Sequence, residues 1–527
     1  MQKIRQYPIL ILLIVNLLVG IFTFRNYGLS WDEPLFYDYA NALPYAYSPK
    51  EWFSGNFNLE NAYGVSGTDH ANRGPAYIIL ARPIVTAIES FGADNASAWH
   101  LVNFLTFQLG MYLLYRLAKR WMSPFAATAA AALFAWQPLL WGHAFINPKD
   151  PPFLVFFLGA VCFGLEMVDE VEKLHYEEAK NTKLIKGFWK SLGPVLLSAF
   201  FLGIATSIRV LGPLAGLLVG IYALTRFNTD ILKRLVIYGV LALLVAFVAW
   251  PYLWTSPLQK FIEVFSFMSD NPTQLQVLFN GQLYRADELP RRYLPVLLGL
   301  TLTEPVLPLF LIGLLFAFWK KLKTLRADNW SLVTEYFLLF LWFLVPFAYV
   351  ILRKPPMYDG YRHFLFILPP LFIFAGFVFE KIFELVKFRW VVAALTFLLL
   401  APGIYSFIQL HPYEYSYYNS FAGGTSGAFR TYETDYWLTC YKEAVEGFDA
   451  RKGVNLFVKR EPYIAEYYAS ENVIVRDYRA EFGEIQSGDF VLVNTRANED
   501  IKTFKDAPVI LQIGRSNAVF CEIKQIP

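Results

Sequence analysis

Apolar runs near the length needed to cross a bilayer recur from the amino terminus to residue 410, with short polar turns between them. They cover residues 8–24, 100–117, 123–144, 153–168, 191–207, 212–226, 235–253, 293–318, 334–352, 364–379 and 390–408, which predicts about eleven transmembrane helices. Lys and Arg orient them. Arg116, Lys119 and Arg120, then Arg226, Lys233 and Arg234, then Lys320, Lys321, Lys323 and Arg326, then Lys381, Lys387 and Arg389 all fall on one side. The positive-inside rule makes that side cytoplasmic, with the amino terminus inside and the carboxyl terminus outside.

The outer loop 25–99 holds an apolar piece at 78–88 that is too short to span and reads as a helix on the membrane interface. Residues 169–190 mix charges of both signs with helical character and read as a solvated cytoplasmic hairpin. The runs 191–207 and 212–226 are short and flank Ser207-Ile208-Arg209, so they read as a pair of tilted or broken helices. From residue 411 the pattern changes. Helices are expected near 436–449 and 462–470, with strands at 454–459, 473–476, 489–494, 508–513 and 518–524. That alternation predicts a small extracytoplasmic α/β domain, 411–527, after a transmembrane domain, 1–410.

Composition agrees: 56% of the 527 residues are hydrophobic and 18% aromatic, as in polytopic membrane proteins. A net charge of +3 gives no footprint for nucleic acid. Lys3 and Arg5 precede the first run and no small-residue cleavage site follows it, so a retained signal anchor is expected. Cys162 lies in an apolar run. Cys440 and Cys521 lie in the tail, where their pairing depends on the compartment and stays open.

The chemistry sits at the outer ends of the runs. Ser30-Trp31-Asp32-Glu33-Pro34 emerges beyond the first run and leads into Phe36, Tyr37, Tyr39, Tyr45, Tyr47, Trp52 and Phe53. Adjacent carboxylates among aromatic rings at a lipid–water boundary suit chemistry on a lipid-borne polar group; an ordinary solvated loop is the plain alternative. Asp150 stands in the turn Asn147-Pro148-Lys149-Asp150-Pro151-Pro152. Its prolines can start a helix, whose positive end favours an ionised Asp150, as a cap, an active-site group or both. Arg209 lies at another outer turn. Arg353, Lys354, Arg362 and His363 crowd one short outer loop against the positive-inside trend, and an anionic partner accounts for them. Arg offers a planar fork to phosphate oxygens and Lys a point charge. Carboxylates and cations on one interface suggest group transfer from a phosphate: the carboxylate takes the proton of an attacking hydroxyl, and the cations stabilise the departing phosphate. No Gly-x-Ser-x-Gly elbow, Walker loop or His-rich zinc motif is present, and Asp69-His70 alone defines no site. A divalent metal ion held by the carboxylates stays open.

Together these features resemble the C-type (GT-C) glycosyltransferases that use lipid-phosphate sugar donors, in particular the family of dolichyl-phosphate-mannose protein mannosyltransferases and bacterial aminoarabinose transferases (glycosyltransferase family 39-like). Trp31-Asp32-Glu33 matches the acidic pair after the family's first crossing. Asn147-Pro148-Lys149-Asp150-Pro151-Pro152-Phe153 resembles its acidic site before the fourth. Tyr358-Asp359-Gly360-Tyr361-Arg362-His363, and His411-Pro412-Tyr413-Glu414-Tyr415-Ser416-Tyr417-Tyr418-Asn419 with Gly423-Gly424 and Asp435-Tyr436-Trp437, resemble motifs of bacterial members. The resemblance implies a GT-C fold and an inverting transfer of sugar from a polyprenyl-phosphate donor at the outer membrane face. It implies Asp32 as general base, Glu33 and Asp150 orienting donor or acceptor, and Arg362, Arg209 and Lys149 holding the phosphate. Arg73, Tyr358 and His363 complete the expected substrate-binding set. The compact tail departs from the luminal modules of eukaryotic members, so a lipid or glycan acceptor is expected rather than a protein.

The expected setting is a bacterial inner membrane, with its lipids as further partners. Two other classes stay open at this stage. A transporter or flippase of lipid-linked sugars would carry ionisable residues at mid-membrane on broken helices. A non-enzymatic scaffold would bind envelope partners through residues 411–527.

Overall fold

The computed structural model describes residues 8–180, 184–269, 274–322, 330–448 and 453–527. Helices α1 (Pro8–Thr23), α2 (Glu33–Ala42), α3 (Ala76–Glu89) and α4 (Asn95–Ala118) lead into a bent pair, α5 (Pro124–Ala135) and α6 (Pro138–Ile146). Next come α7 (Asp150–Lys180), α8 (Leu184–Ile208), α9 (Pro213–Leu224), α10 (Thr229–Val248) and α11 (Pro257–Ser269). A hairpin of β1 (Gln276–Phe279) and β2 (Gln282–Arg285) precedes a second bent pair, α12 (Tyr293–Thr301) and α13 (Val306–Leu322). Helices α14 (Trp330–Arg353), α15 (Pro369–Leu385) and α16 (Arg389–Leu410) complete the helical body.

Helix α7 is its axis. Its most apolar window is 89% buried, against 22% in α10 and 28% in α16. The two outer helices turn Val240, Leu243, Phe397, Leu398 and Ile408 outwards. Unbroken apolar faces of this kind suit lipid, not water. Among the described residues, four helices are long and apolar enough to cross a membrane, or up to six if each bent pair is one span. Pro8–Thr23, Leu192–Ile208 and Pro213–Leu224 are shorter apolar helices. The body is therefore helical and rich in apolar helices, but length and hydropathy do not reach the expected eleven.

Several boundaries depart from the sequence reading. The runs 123–144 and 293–318 are broken, with bends of 65° and 103°. Pro138 cannot donate to the helix ladder, so the chain restarts there, and Gln137 ties the break down by donating to Leu133 O and Thr303 Oγ1, each at 2.9 Å. The charged stretch 169–190, expected to have helical character, extends the neighbouring helices where it is described: α7 runs on to Lys180 and α8 starts at Leu184, while residues 181–183 lie outside the described residues. The run 364–379 becomes helical only at Pro369, because Arg362–Ile367 is a 3-10 turn. The interfacial piece is α3, which buries Ala81 and Val85 and exposes Leu80 and Ile84.

The tail builds one sheet. Strands β3 (Val454–Val458), β4 (Val473–Asp477), β5 (Phe490–Asn494), β6 (Val509–Arg515) and β7 (Ala518–Gln525) lie in the order β4-β3-β5-β7-β6. β3 runs parallel to both neighbours and β7 antiparallel to both. All the expected strands are present. The expected helix 436–449 shrinks to α17 (Tyr441–Glu446), because Leu438 takes a φ of 64°, outside the helical region. Helix α18 (Pro462–Tyr468) matches its expectation closely.

Residues 411–440 lie outside the sheet and pack on the helical body. Asn419 Nδ2 donates to Gly299 O at 2.7 Å and to Leu302 O at 2.9 Å. Gly142 of α6 comes so close that a Cβ there would sit 2.3 Å from the Tyr415 amide. Cys440 and Cys521 form a disulfide, joining this segment to β7.

Candidate active site

Helix α7 opens on a turn that aims Asp150. Asn147 Oδ1 accepts from the amides of Lys149 at 3.1 Å and Asp150 at 2.9 Å, so Asn147 does the capping considered for Asp150. The Asp150 carboxylate is left to bind other elements. One oxygen takes Arg209 from the end of α8. The other takes Arg362 at 3.1 Å and Asn147 Nδ2 at 3.0 Å.

Arg362 is the hub. Its Nη2 reaches Asp32 at 3.4 Å and Asp359 at 3.2 Å. Its guanidinium lies over the rings of Trp437, at 4.8 Å, and Tyr358, at 5.4 Å. The 3-10 turn before α15 makes this reach possible. Asp32, Asp150, Arg209 and Arg362, far apart in sequence, thus share one ion cluster, as expected. Asp150 is 1% exposed and Asp32 19%, so Asp32 is the more accessible of the two carboxylates. Burial opposes the Arg362 charge, but Asp32, Asp359 and Asp150 outweigh it and raise its pKa. Burial, then Arg362 and Arg209, holds His363 well below the usual histidine range. It is a neutral imidazole, set edge-on to Tyr358 at 5.0 Å, and not a further cation.

Beside the cluster lies a surplus of positive charge. Lys149 sits over the Phe36 ring at 5.4 Å. Among the described residues neither Lys149 nor Arg73 has an ion-pair partner. Burial, then Arg209 and Arg73, pulls Lys149 well below the usual lysine range, against Asp150 and Asp32. His70 also packs against Phe36, the two rings near perpendicular at 5.2 Å. It is buried, both ring nitrogens are unpartnered among the described residues, and burial, then Arg73 and Lys149, pushes its pKa down to about 3. The sequence reading set His70 aside; the structure places it within the field of both cations.

Glu33 is the correction. It is fully buried and turned into its own loop. Its Oε2 accepts from Ser30 N at 2.6 Å, and its Oε1 takes the Tyr37 hydroxyl and lies 3.1 Å from His100 Nε2. It cannot orient a substrate from there; it holds the loop that presents Asp32.

The tail supplies groups that the sequence did not reveal. Arg496 Nη1 donates to Asp359 Oδ1 at 2.5 Å and to Tyr436 O at 2.7 Å, and the guanidinium stacks on Trp31 at 4.6 Å. Trp437 Nε1 donates to Asp359 Oδ2 at 3.0 Å. Asp359 has a φ of 55° and Gly360 one of 67°; this left-handed turn lets one carboxylate span Arg362 and Arg496. Asp359 and Trp437 stood in noted motifs without a role. Nothing near Arg496 in sequence marks it. Among the described residues no group of three or more His, Cys, Asp and Glu gathers as a metal-ligand set.

Comparison with known proteins adds the fold. No family model matches the chain, and no curated protein matches its sequence. Solved structures do. The Archaeoglobus fulgidus oligosaccharyltransferase in its apo form is 10% identical with a TM-score of 0.51, over 94% of this chain and 70% of that one. AglB from Archaeoglobus fulgidus, in complex with an inhibitory peptide and a dolichol-phosphate, is 11% identical with a TM-score of 0.50, over 95% and 71%. ArnT from Cupriavidus metallidurans, apo, is 14% identical with a TM-score of 0.49, over 98% and 97%. The fold is that of the GT-C glycosyltransferases.

Proposed function

We propose that this protein is a membrane glycosyltransferase that moves a sugar from a polyprenyl-phosphate donor to an acceptor hydroxyl, with inversion at the anomeric carbon. The observation that carries the reading is the meeting of a partly exposed Asp32 with Arg362, Asp150 and Arg209, beside Lys149 and Arg73, which have no ion-pair partner among the described residues. The phosphate of the donor lies against Lys149 and Arg73, where an anion relieves the like-charge repulsion among Lys149, Arg73 and Arg209. Asp32 takes the proton as the acceptor oxygen attacks the anomeric carbon. The carbon–oxygen bond to phosphate breaks, and its electron pair leaves with the polyprenyl phosphate, stabilised by the cations. Asp150 fixes Arg209 and Arg362; Tyr358 supports Arg362 by its ring. His363 and His70 serve as neutral hydrogen-bond groups.

The dolichol-phosphate in the AglB complex is a ligand of the same chemistry. A disulfide in the tail fits an oxidising compartment, and so an extracytoplasmic tail on an inner-membrane protein. The transporter and scaffold readings fare less well. Arg209 pairs with Asp150 in the ion cluster, and the tail enters the cluster through Arg496 instead of standing apart as a docking module. The test is incubation of the purified protein with labelled polyprenyl-phosphate pentoses and hexoses and envelope lipid and glycan extracts. A labelled product with inverted anomeric configuration is expected. Lack of product with every donor contradicts the reading.

A further inference from the structure

Strands β3, β4 and β5 of the tail run parallel in the order β4-β3-β5. The strand that follows β3 lies on one side of it and the next on the other, so the β3/β5 boundary is a topological switch point. Sheets of this kind bind ligands in the crevice beyond the carboxyl ends of their strands, at that point. Here the crevice adjoins the loop that carries Asp32. Tyr463, past the end of β3, donates its hydroxyl to Trp31 O at 2.7 Å. Arg496, past the end of β5, stacks on the Trp31 ring at 4.6 Å.

The three strand ends are basic. Val458 pairs with Asp477, so Lys459 and Arg460 follow on β3 where Tyr478 and Arg479 follow on β4. Lys459 is settled: its Nζ lies 3.2 Å from Glu499, 4.8 Å from the centre of the Tyr478 ring and 3.0 Å from Thr503 Oγ1. Arg460 is not. Its side chain is only 18% exposed, yet none of its N–H donors makes a hydrogen bond among the described residues, and Nε is buried without a partner. Its ion contact, from Nη2 to Glu499 Oε1, is 4.0 Å long, beyond hydrogen-bond reach. Buried polar groups are ordinarily satisfied, so this fork wants an acceptor. Burial, then Arg496, pulls Arg460 below the usual arginine range, with Glu499 opposing and Arg479 adding. The Tyr441 hydroxyl, fully buried and also unpartnered among the described residues, lies in the field of Arg460 and Arg479. Arg479 is exposed and has no ion-pair partner among the described residues. The acids at this end are otherwise engaged: Glu499 with Lys459, Asp477 with the Arg479 amide at 2.8 Å, and Glu461 beside Tyr463.

We propose that the carboxyl end of this sheet is an anion-binding site, in which Arg460 and Arg479 take a phosphate or carboxylate group. The planar fork of Arg460 suits either. The site uses none of the residues assigned to the donor phosphate. Its ligand is a substituent of an acceptor saccharide or a free anion, and only the first source rests on the transferase reading. The full-length protein in detergent is titrated with inorganic phosphate and with a hexose 6-phosphate, both read by phosphorus line broadening. Lys149→Met serves as the background, because it empties the seat assigned to the donor phosphate. Broadening is expected to persist there, and adding Arg460→Gln should weaken the affinity about tenfold or more. Arg460→Lys, which keeps the charge and loses the fork, should fall between. Thermal unfolding checks the fold; if Arg460→Gln does not fold, the exposed Arg479→Gln carries the test, with a loss of about threefold or more. Tighter binding of the hexose 6-phosphate than of inorganic phosphate assigns the ligand to a saccharide, and equal binding assigns it to the free anion; either supports the site. No broadening in the Lys149→Met background, or broadening unchanged by the Arg460 and Arg479 substitutions, overturns it. Lack of transfer from every donor with this binding intact overturns the transferase reading and leaves the anion site standing.

Discussion

The molecule carries two ion clusters along α7, one at its start and a partly buried one further along it, around Asp169. Asp150 opens that helix and Asp169 stands 19 residues on, about 28 Å away at 1.5 Å per residue. At the far end, Arg120 pairs with Asp169 at 2.7 Å and Glu335 at 3.3 Å, and Arg226 with Glu172 at 2.5 Å and Glu335 at 3.1 Å. Tyr222 and Trp121 also donate to Glu335, at 2.9 Å and 2.5 Å. Every charge there has a partner, and the network fastens α7, α9 and α14 to the end of α4. The site end has a similar density of charge but is left incomplete. Lys149 and Arg73 stand without ion-pair partners among the described residues, and Asp32 keeps a partly open carboxylate. Asp150 is 1% exposed where Asp169 is 34%, so an unpaired charge costs more at the site end. A cluster that closes on itself holds helices together; one that stays unsatisfied is ready for a ligand.

Substitutions can break or sharpen that contrast. The largest effect is expected from Arg362→Met, which strands Asp32, Asp150 and Asp359: transfer falls about a thousandfold, and stability falls by about 3–5 kcal/mol, read by rate per folded molecule and thermal unfolding. Glu335→Gln at the far end should cost about 3 kcal/mol of stability with the rate per folded molecule unchanged. A lost rate there would erase the distinction between the clusters. Lys149→Met should raise the donor KM by roughly 10- to 100-fold while leaving stability unchanged or slightly higher, because it removes a buried amine without a partner.

The smallest effect is in the pH dependence of stability. Burial pushes Glu433 up to about 7, with Arg496 and Arg460 opposing and Asp359 adding to it. An unfolded glutamate titrates at about 4.3. Between those values the folded chain keeps a proton that the unfolded chain has lost. This contribution is full below about pH 4.3 and disappears as pH rises through 7. Glu433→Gln should therefore flatten the fall in stability across that window and gain at most about 4 kcal/mol over wild type at pH 8, measured by denaturant unfolding.

What the sequence disclosed followed from what each residue's signal depends on. Asp32, Asp150 and Arg209 were legible because each sits at the end of an apolar run, where a charge needs a reason. Arg362 was legible as a cation against the charge rule. Glu33 was misread because adjacency to Asp32 says nothing about direction: in the first turn of α2 it points inward to Tyr37 and His100, while Asp32 points outward. Lys149 was noted as a phosphate ligand, but that it has no ion-pair partner among the described residues was visible only in three dimensions. Arg496 gave no signal, since its partners come from residues 359 and 436 and its neighbours in sequence are ordinary tail residues. The bends at Pro138 and before Val306 were hidden by hydropathy, which averages over a break, although Pro138 and Pro305 marked them.

The most direct measurement is single-turnover transfer from a labelled polyprenyl-phosphate sugar by Asp32→Asn, alongside its donor affinity. The expected result is a rate lower by about a thousandfold with donor binding and folding unchanged, because the amide keeps the shape of the site but cannot take the acceptor proton. A rate equal to wild type would contradict Asp32 as the base and, with it, the reading of the open cluster as the place of transfer.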